Sequence, residues 1–148
     1  MSTGITVMLA QIFGSYHGAD AMEAVIGKTI ASLRLDPAYN GGDGGLLFVF
    51  TDETGIALYD DGRSCCENRY MTTDDDLAAF VGAQLVGADV RDGPDIDDEY
   101  GAHEMQFLIV HTSLGDFTME THNEHNGYYG GFVLTSVAYE NNASGGVR

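Results

Sequence analysis

The chain has 148 residues, with 23 Asp and Glu against 6 Lys and Arg, and a net charge of -17. That balance excludes direct nucleic-acid binding, which needs cationic groups to displace phosphate counterions, and it disfavours anionic membrane surfaces for the same reason. The length predicts one domain, residues 1–148, and an apolar fraction of 44% is enough for a buried core.

Ile5 to Phe13 is the longest apolar run near the N-terminus. It falls short of the roughly 18 residues that span a bilayer and has no basic leader, so it reads as a strand or buried segment. A first unit, about residues 20–72, opens with Asp20 and Glu23 spaced as a capping box. The helix they start runs from Ala21 to Ile26 and ends at Gly27. Lys28–Leu35 is strand-like, stopped by Asp36-Pro37, and Asn40–Gly45 is a glycine-rich turn. Leu46–Thr51 and Ile56–Tyr59 form a hairpin about Asp52–Gly55, and a polar loop, Asp60–Tyr70, follows.

A second unit, about residues 73–139, repeats this order. Thr73 and Asp76 make a second capping box for a helix over 74–81, and Gly82 stands where Gly27 stood. Ala83–Arg91 is the matching strand, Asp92-Gly93-Pro94 the matching stop, and Asp95–Glu99 an acidic loop. Phe107–His111 and Asp116–Thr121 form the second hairpin. Thr121–Gly131 is a second polar loop and Phe132–Tyr139 a closing strand, with a loose tail over 141–148. His17 and His103 fall in loops, and His111 at the edge of the core. The expected class is α+β: a mainly antiparallel sheet or half-open barrel built from two pseudo-repeats of short helix, strand and hairpin, with two short helices.

Ile26-Gly27-Lys28-Thr29-Ile30, Cys65-Cys66-Glu67 and Asn126-Gly127-Tyr128-Tyr129 together resemble a domain of unknown function common in tailed-phage genomes, especially those of actinobacteria. The resemblance covers most of residues 20–139. It implies a small phage accessory protein in the host cytoplasm, with virion association as a further option, and it carries over no catalytic residue.

The two polar loops hold the candidate chemistry. Cys65, Cys66, His122 and His125 are zinc-ligand types, but vicinal cysteines and a His-x-x-His spacing fit a tetrahedron poorly. Adjacent cysteines cannot staple distant segments either, which favours free thiols in a reducing compartment. A thiol nucleophile is a second option, with Cys66 beside Arg63 and Arg69, His122 or His125 as base and Glu67 or Glu124 as orienter. No nucleophile motif, P-loop or dinucleotide fingerprint accompanies it. The favoured reading is a non-enzymatic binding surface where the loops meet, made of Arg63, Cys65, Cys66, Glu67, Arg69, Tyr70, His122, Glu124, His125, Asn126, Tyr128 and Tyr129. Arginine suits an anion and tyrosine suits stacking. The expected partner is a host or phage protein or a small anionic ligand, with an oligomer compatible and with no cofactor, metal or catalytic residue assigned. A Cys/His metal or thiol hydrolase and a virion structural protein are the competing classes.

Overall fold

The computed structural model describes residues 21–60, 67–98, 101–125, 132 and 134–138. The apolar run at Ile5–Phe13, the tail, and Arg63, Cys65, Cys66, Asn126, Tyr128 and Tyr129 lie outside them. The fold is α+β and mainly antiparallel sheet. A helix α1 (Ala21–Val25) precedes β1 (Ile30–Asp36), β2 (Gly45–Phe50), β3 (Gly55–Asp60) and β4 (Glu67–Thr72). A single 3₁₀ turn (Leu77–Phe80) then precedes β5 (Leu85–Asp98), β6 (Gly101–Thr112), β7 (Gly115–His125) and β8 (Leu134–Ala138).

The strands form two four-stranded sheets, ordered β1-β2-β3-β8 and β4-β7-β6-β5. Each sheet is a three-strand meander completed by the last strand of the other half of the chain. Exchanging β1–β4 with β5–β8 maps the strand order onto itself. The two halves also meet where this exchange requires: the Gly27 and Ile30 amides donate to the Leu85 and Ala83 carbonyls, and the Gly82 and Leu85 amides to the Ile30 and Lys28 carbonyls. Gly27 (φ +89°) and Gly82 (φ +96°) both take the left-handed conformation that turns the chain into this short ladder. Among the described residues no ladder joins β4 to β8, and only the isolated Thr29↔Gln84 bridge lies beside β1 and β5, so the two sheets do not close into a barrel.

The core lies between the sheets. Leu46, Phe48, Phe50, Ile56 and Leu58 face Met71, Leu85, Val90, Leu108, Val110, Phe117 and Met119, and α1 adds Met22 and Val25. Each such side chain contributes about 1.5–3 kcal/mol through burial. On the far side of the first sheet Leu47 and Ala57 pack with Tyr39, Val49, Tyr59 and Val137. There the turn Tyr39–Gly42 carries left-handed Asn40 and Gly41, and sets the Tyr39 ring over Gly45 and edge-on to Tyr59 at 5.5 Å.

Several elements depart from the expectations. Glu67–Tyr70 and Thr121–His125 are strand, not loop: they pair with each other from Glu67↔His125 to Thr72↔Glu120. Asp92-Gly93-Pro94 does not stop β5, because a register shift between Asp92 and Asp95 absorbs the proline and the acidic run continues as strand to Asp98. The residues expected to open a helix at Thr73 instead form two side-chain turns. Thr73 Oγ1 accepts from the Asp75 amide and Asp76 from the Ala78 amide, which uses up the caps on one 3₁₀ turn. His103 belongs to β6, and half-exposed His111 bonds Asp116 at 2.9 Å.

A Cβ on Gly45 would stand 2.5 Å from the Tyr39 ring. Gly45→Ala must therefore displace that ring, and chemical denaturation should show a loss of about 1–3 kcal/mol.

Candidate functional site

Two ends of the molecule differ in chemistry. At one end lie the hairpins at 51–54 and 113–114. At the other, Asp60 pairs with Leu134 and Glu67 with His125. The β3–β4 connection therefore starts and finishes beside the finish and start of the β7–β8 connection. The ends of the two polar loops are neighbours, as the sequence reading required. Because alternate strand residues point to opposite faces, β4, β6 and β7 present one chemistry outward and another inward at this end.

The outward face holds Tyr70, Thr72, His103, Glu120, His122 and Glu124. Tyr70 stacks on His122 with ring centroids 4.4 Å apart and planes 8° from parallel, and its hydroxyl donates to Glu124 Oε2. Burial, then that bond and the charge of Glu124, push the Tyr70 hydroxyl up to about 12. Thr72 Oγ1 donates its single proton to Glu120 Oε1 (3.1 Å), so it must accept from His122 Nε2 (2.9 Å). His122 Nδ1 is then the bare nitrogen and accepts from His103 Nε2 at 3.0 Å. The result is a directional chain, His103→His122→Thr72→Glu120, that fixes the tautomers of both rings. Burial, and next the neighbouring His103, lower the His122 pKa from its ordinary 6.5, against the opposing pull of Glu120 and Glu124.

The inward face is the polar half of the interior. Along β7 the buried positions run Phe117, Met119, Thr121, Asn123; along β6 they run Val110, Leu108, Gln106, Glu104. Both strands thus turn from apolar to polar toward the loop end. Arg69 Nη1 donates to Asp60 Oδ2, with side chains 3% and 2% exposed, and the guanidinium carbon lies 5.9 Å from the Phe132 ring centroid. Gln106 Nε2 donates to Asp92 Oδ1 at 2.9 Å. Gln106 Oε1 and Thr121 Oγ1 are buried and have no hydrogen-bond partner among the described residues.

The expected site is thus divided by the sheet. Tyr70, His122 and Glu124 come together outside, while Arg69 turns inward and is engaged by Asp60 rather than presented to an anion. Glu67 and His125 pair backbone to backbone at the loop anchors. Sequence reasoning missed His103, Thr72 and Glu120 outside, and Glu104, Gln106, Thr121 and Asn123 inside. The period-two alternation from Phe117 through Glu124 carries that signal, but its inward set becomes polar halfway and looks like a loop. Among the described residues, no three His, Cys, Asp or Glu side chains are grouped to hold a metal ion, and no helix is long and apolar enough to cross a membrane.

Arg69→Ala would leave Asp60 buried without its guanidinium, and urea denaturation should show a loss of about 3–5 kcal/mol. The pair replacement Asp60→Leu with Arg69→Met should lose much less. For His122 the folded-state pKa lies below that of the unfolded chain, so the unfolded chain takes up the proton first. The stability His122 contributes is present above pH 6.5 and declines as pH falls through that value. His122→Gln should therefore lose less melting temperature than the wild type between pH 7.5 and pH 5, roughly the range over which histidine titrates.

Residues 23–135 match the family model described as "Domain of unknown function (DUF7448)". No curated protein and no solved structure matches the chain. The match spans most of the sequence, including β1 to β7, the start of β8 and every residue of the outward and inward clusters, and the chain belongs to the DUF7448 family.

Proposed function

We propose that this chain is a phage-encoded, non-enzymatic binding module that acts in the host cytoplasm on a protein partner with a basic surface. The observation that carries this reading is the adjacency of the two loop connections at one end, beside the outward cluster of Tyr70, His103, His122 and Glu124. The stacked Tyr70–His122 pair is held by hydrogen bonds on both rings, so it offers a rigid aromatic platform that costs little ordering on contact. Glu120, Glu124 and Asp116 lie on the same face, and the net charge of -17 steers a cationic surface toward it. The phage and host roles are supported by the resemblance of the Ile26–Ile30, Cys65–Glu67 and Asn126–Tyr129 segments.

A second reading has one specific support. The directed His103→His122→Thr72→Glu120 chain is an arrangement through which His103 could act as a base, the acid–base half of a hydrolase.

Affinity capture from a bacterial lysate separates these readings. A partner held by the wild type should be released by moderate salt and lost in Tyr70→Ala and Glu124→Ala. It should be kept in Leu114→Ala, at the opposite, hairpin end. Equal capture by all four proteins overturns the binding face. Turnover of a generic ester that disappears in His103→Gln replaces it with the enzymatic reading.

A further inference from the structure

The two sheets differ in what lies on their outer faces. On the first, the connection at residues 37–44 folds back and Tyr39 packs on Leu47 and Ala57, which are 2% and 0% exposed. The strand exchange that relates the halves puts β6 in the place of β2, but the β5–β6 connection has only residues 99 and 100. Two residues reach at most about 7 Å, too short to lie across a sheet.

Burial alternates along β6 from Glu104 to Thr112. Glu104, Gln106, Leu108 and Val110 point inward, which leaves Met105, Phe107 and Ile109 half-buried on the outer face. None of these three belongs to the core or to the cluster around Leu47. Among the described residues, then, an apolar row runs down a central strand with no element packed over it, the mark of an interaction surface.

The charges beside the row select what would cover it. In register, β7 sets Asp116, Glu120 and Glu124 along one side, and β5 sets Asp89 and Arg91 along the other. Carboxylates outnumber the one guanidinium. A second copy of the chain would bring the same carboxylates against these, and an anionic lipid surface would be repelled as well. An apolar stripe bordered by lysine or arginine is complementary in both respects. Met105 to Ile109 spans about 13–14 Å of strand, the length of about nine residues of α-helix. An extended partner pairs with a sheet edge, whereas a helix lays its apolar stripe on a sheet face.

We infer that the outer face of the second sheet, along Met105, Phe107 and Ile109, is a docking surface for an amphipathic basic helix of a partner protein. On the binding-module reading, on which this surface rests, the Tyr70–His122 platform adjoins the row at Met105, which pairs with His122 in register.

The probe is a synthetic peptide of about eighteen leucines and lysines, with the leucines at helical spacing. An isomer of the same composition with alternating leucines controls for charge alone. Calorimetric titration at about 0.15 M sodium chloride should show saturable binding of the helical peptide, and binding at least tenfold weaker for the isomer. Phe107→Ser and the strand-compatible Ile109→Thr should each weaken the helical peptide at least tenfold with an unchanged circular dichroism spectrum. Ile26→Ser, at an exposed residue ahead of β1, should not. Equal affinity for the two isomers, or undiminished binding in both β6 variants, overturns the inference. So does a dimer seen by sedimentation that Phe107→Ser dissolves, since a second copy would then be the occupant. Capture from the lysate keeps the two ideas apart. A partner lost in Tyr70→Ala but kept in Phe107→Ser leaves the binding face standing and overturns the helix surface. Peptide binding through Phe107, with no partner that depends on Tyr70, upholds the surface and removes the platform.

Discussion

The Asp60–Arg69 ion pair holds the loop end of this molecule together. Asp60 is the last residue of β3 in one sheet and Arg69 lies within β4 in the other, so a single buried contact ties the sheets where the chain crosses between them. Charges this deep repay their desolvation only when the geometry is held by what surrounds them. Here Phe132 lies against the guanidinium, and Asn40 Nδ2 donates to the Asp60 carbonyl at 3.2 Å. The pair therefore ties the glycine-rich turn to the end of β3, the start of β4 and the polar interior. At the hairpin end the corresponding work is done by apolar packing and the Gly27–Gly82 ladder, which need no such compensation.

The same three strands carry two unrelated sets of chemistry because a strand alternates its side chains. In β7, Thr121 and Asn123 look into the interior while Glu120, His122 and Glu124 look out; in β4, Arg69 and Tyr70 divide in the same way. Neighbours in sequence are thus poor guides to neighbours in space here. Arg69 and Tyr70 are adjacent in the chain and serve opposite faces, whereas Tyr70 and Glu124 meet across two strands. The outward set is linked by hydrogen bonds from His103 through His122 and Thr72 to Glu120, and from Tyr70 to Glu124, which makes it stiff. The inward set is anchored by the Arg69–Asp60 and Gln106–Asp92 hydrogen bonds.

Much of the architecture was legible from residues 20–60 and 82–121. Leu46–Phe50, Ile56–Tyr59, Phe107–His111 and Asp116–Thr121 show the apolar content and turn residues of hairpin strands, and Gly27 and Gly82 mark equivalent bends. What failed was the reading of polar stretches as loops. Glu67–Tyr70 and Thr121–His125 form strands because each supplies the other's hydrogen bonds, a long-range pairing that no local window contains. Pro94 looked like a terminator, yet the bulge before Asp95 lets β5 continue past it. The proximity of the strand ends that flank the two connections could be reasoned from the internal similarity of the halves. The allocation of Arg69 inward and His103 into the cluster could not, since both depend on the register between β4, β7 and β6.

The exchange of β4 and β8 between the sheets has a consequence for how the polypeptide can exist at all. Residues up to Thr72 would form a three-strand meander with a dangling fourth segment that has nowhere of its own to go, and the remainder of the chain would be in the same position. Each half is an incomplete object whose missing piece is carried by its neighbour. One covalent molecule here has the logic of an interlocked pair, in which neither half can complete its own sheet without a strand from the other.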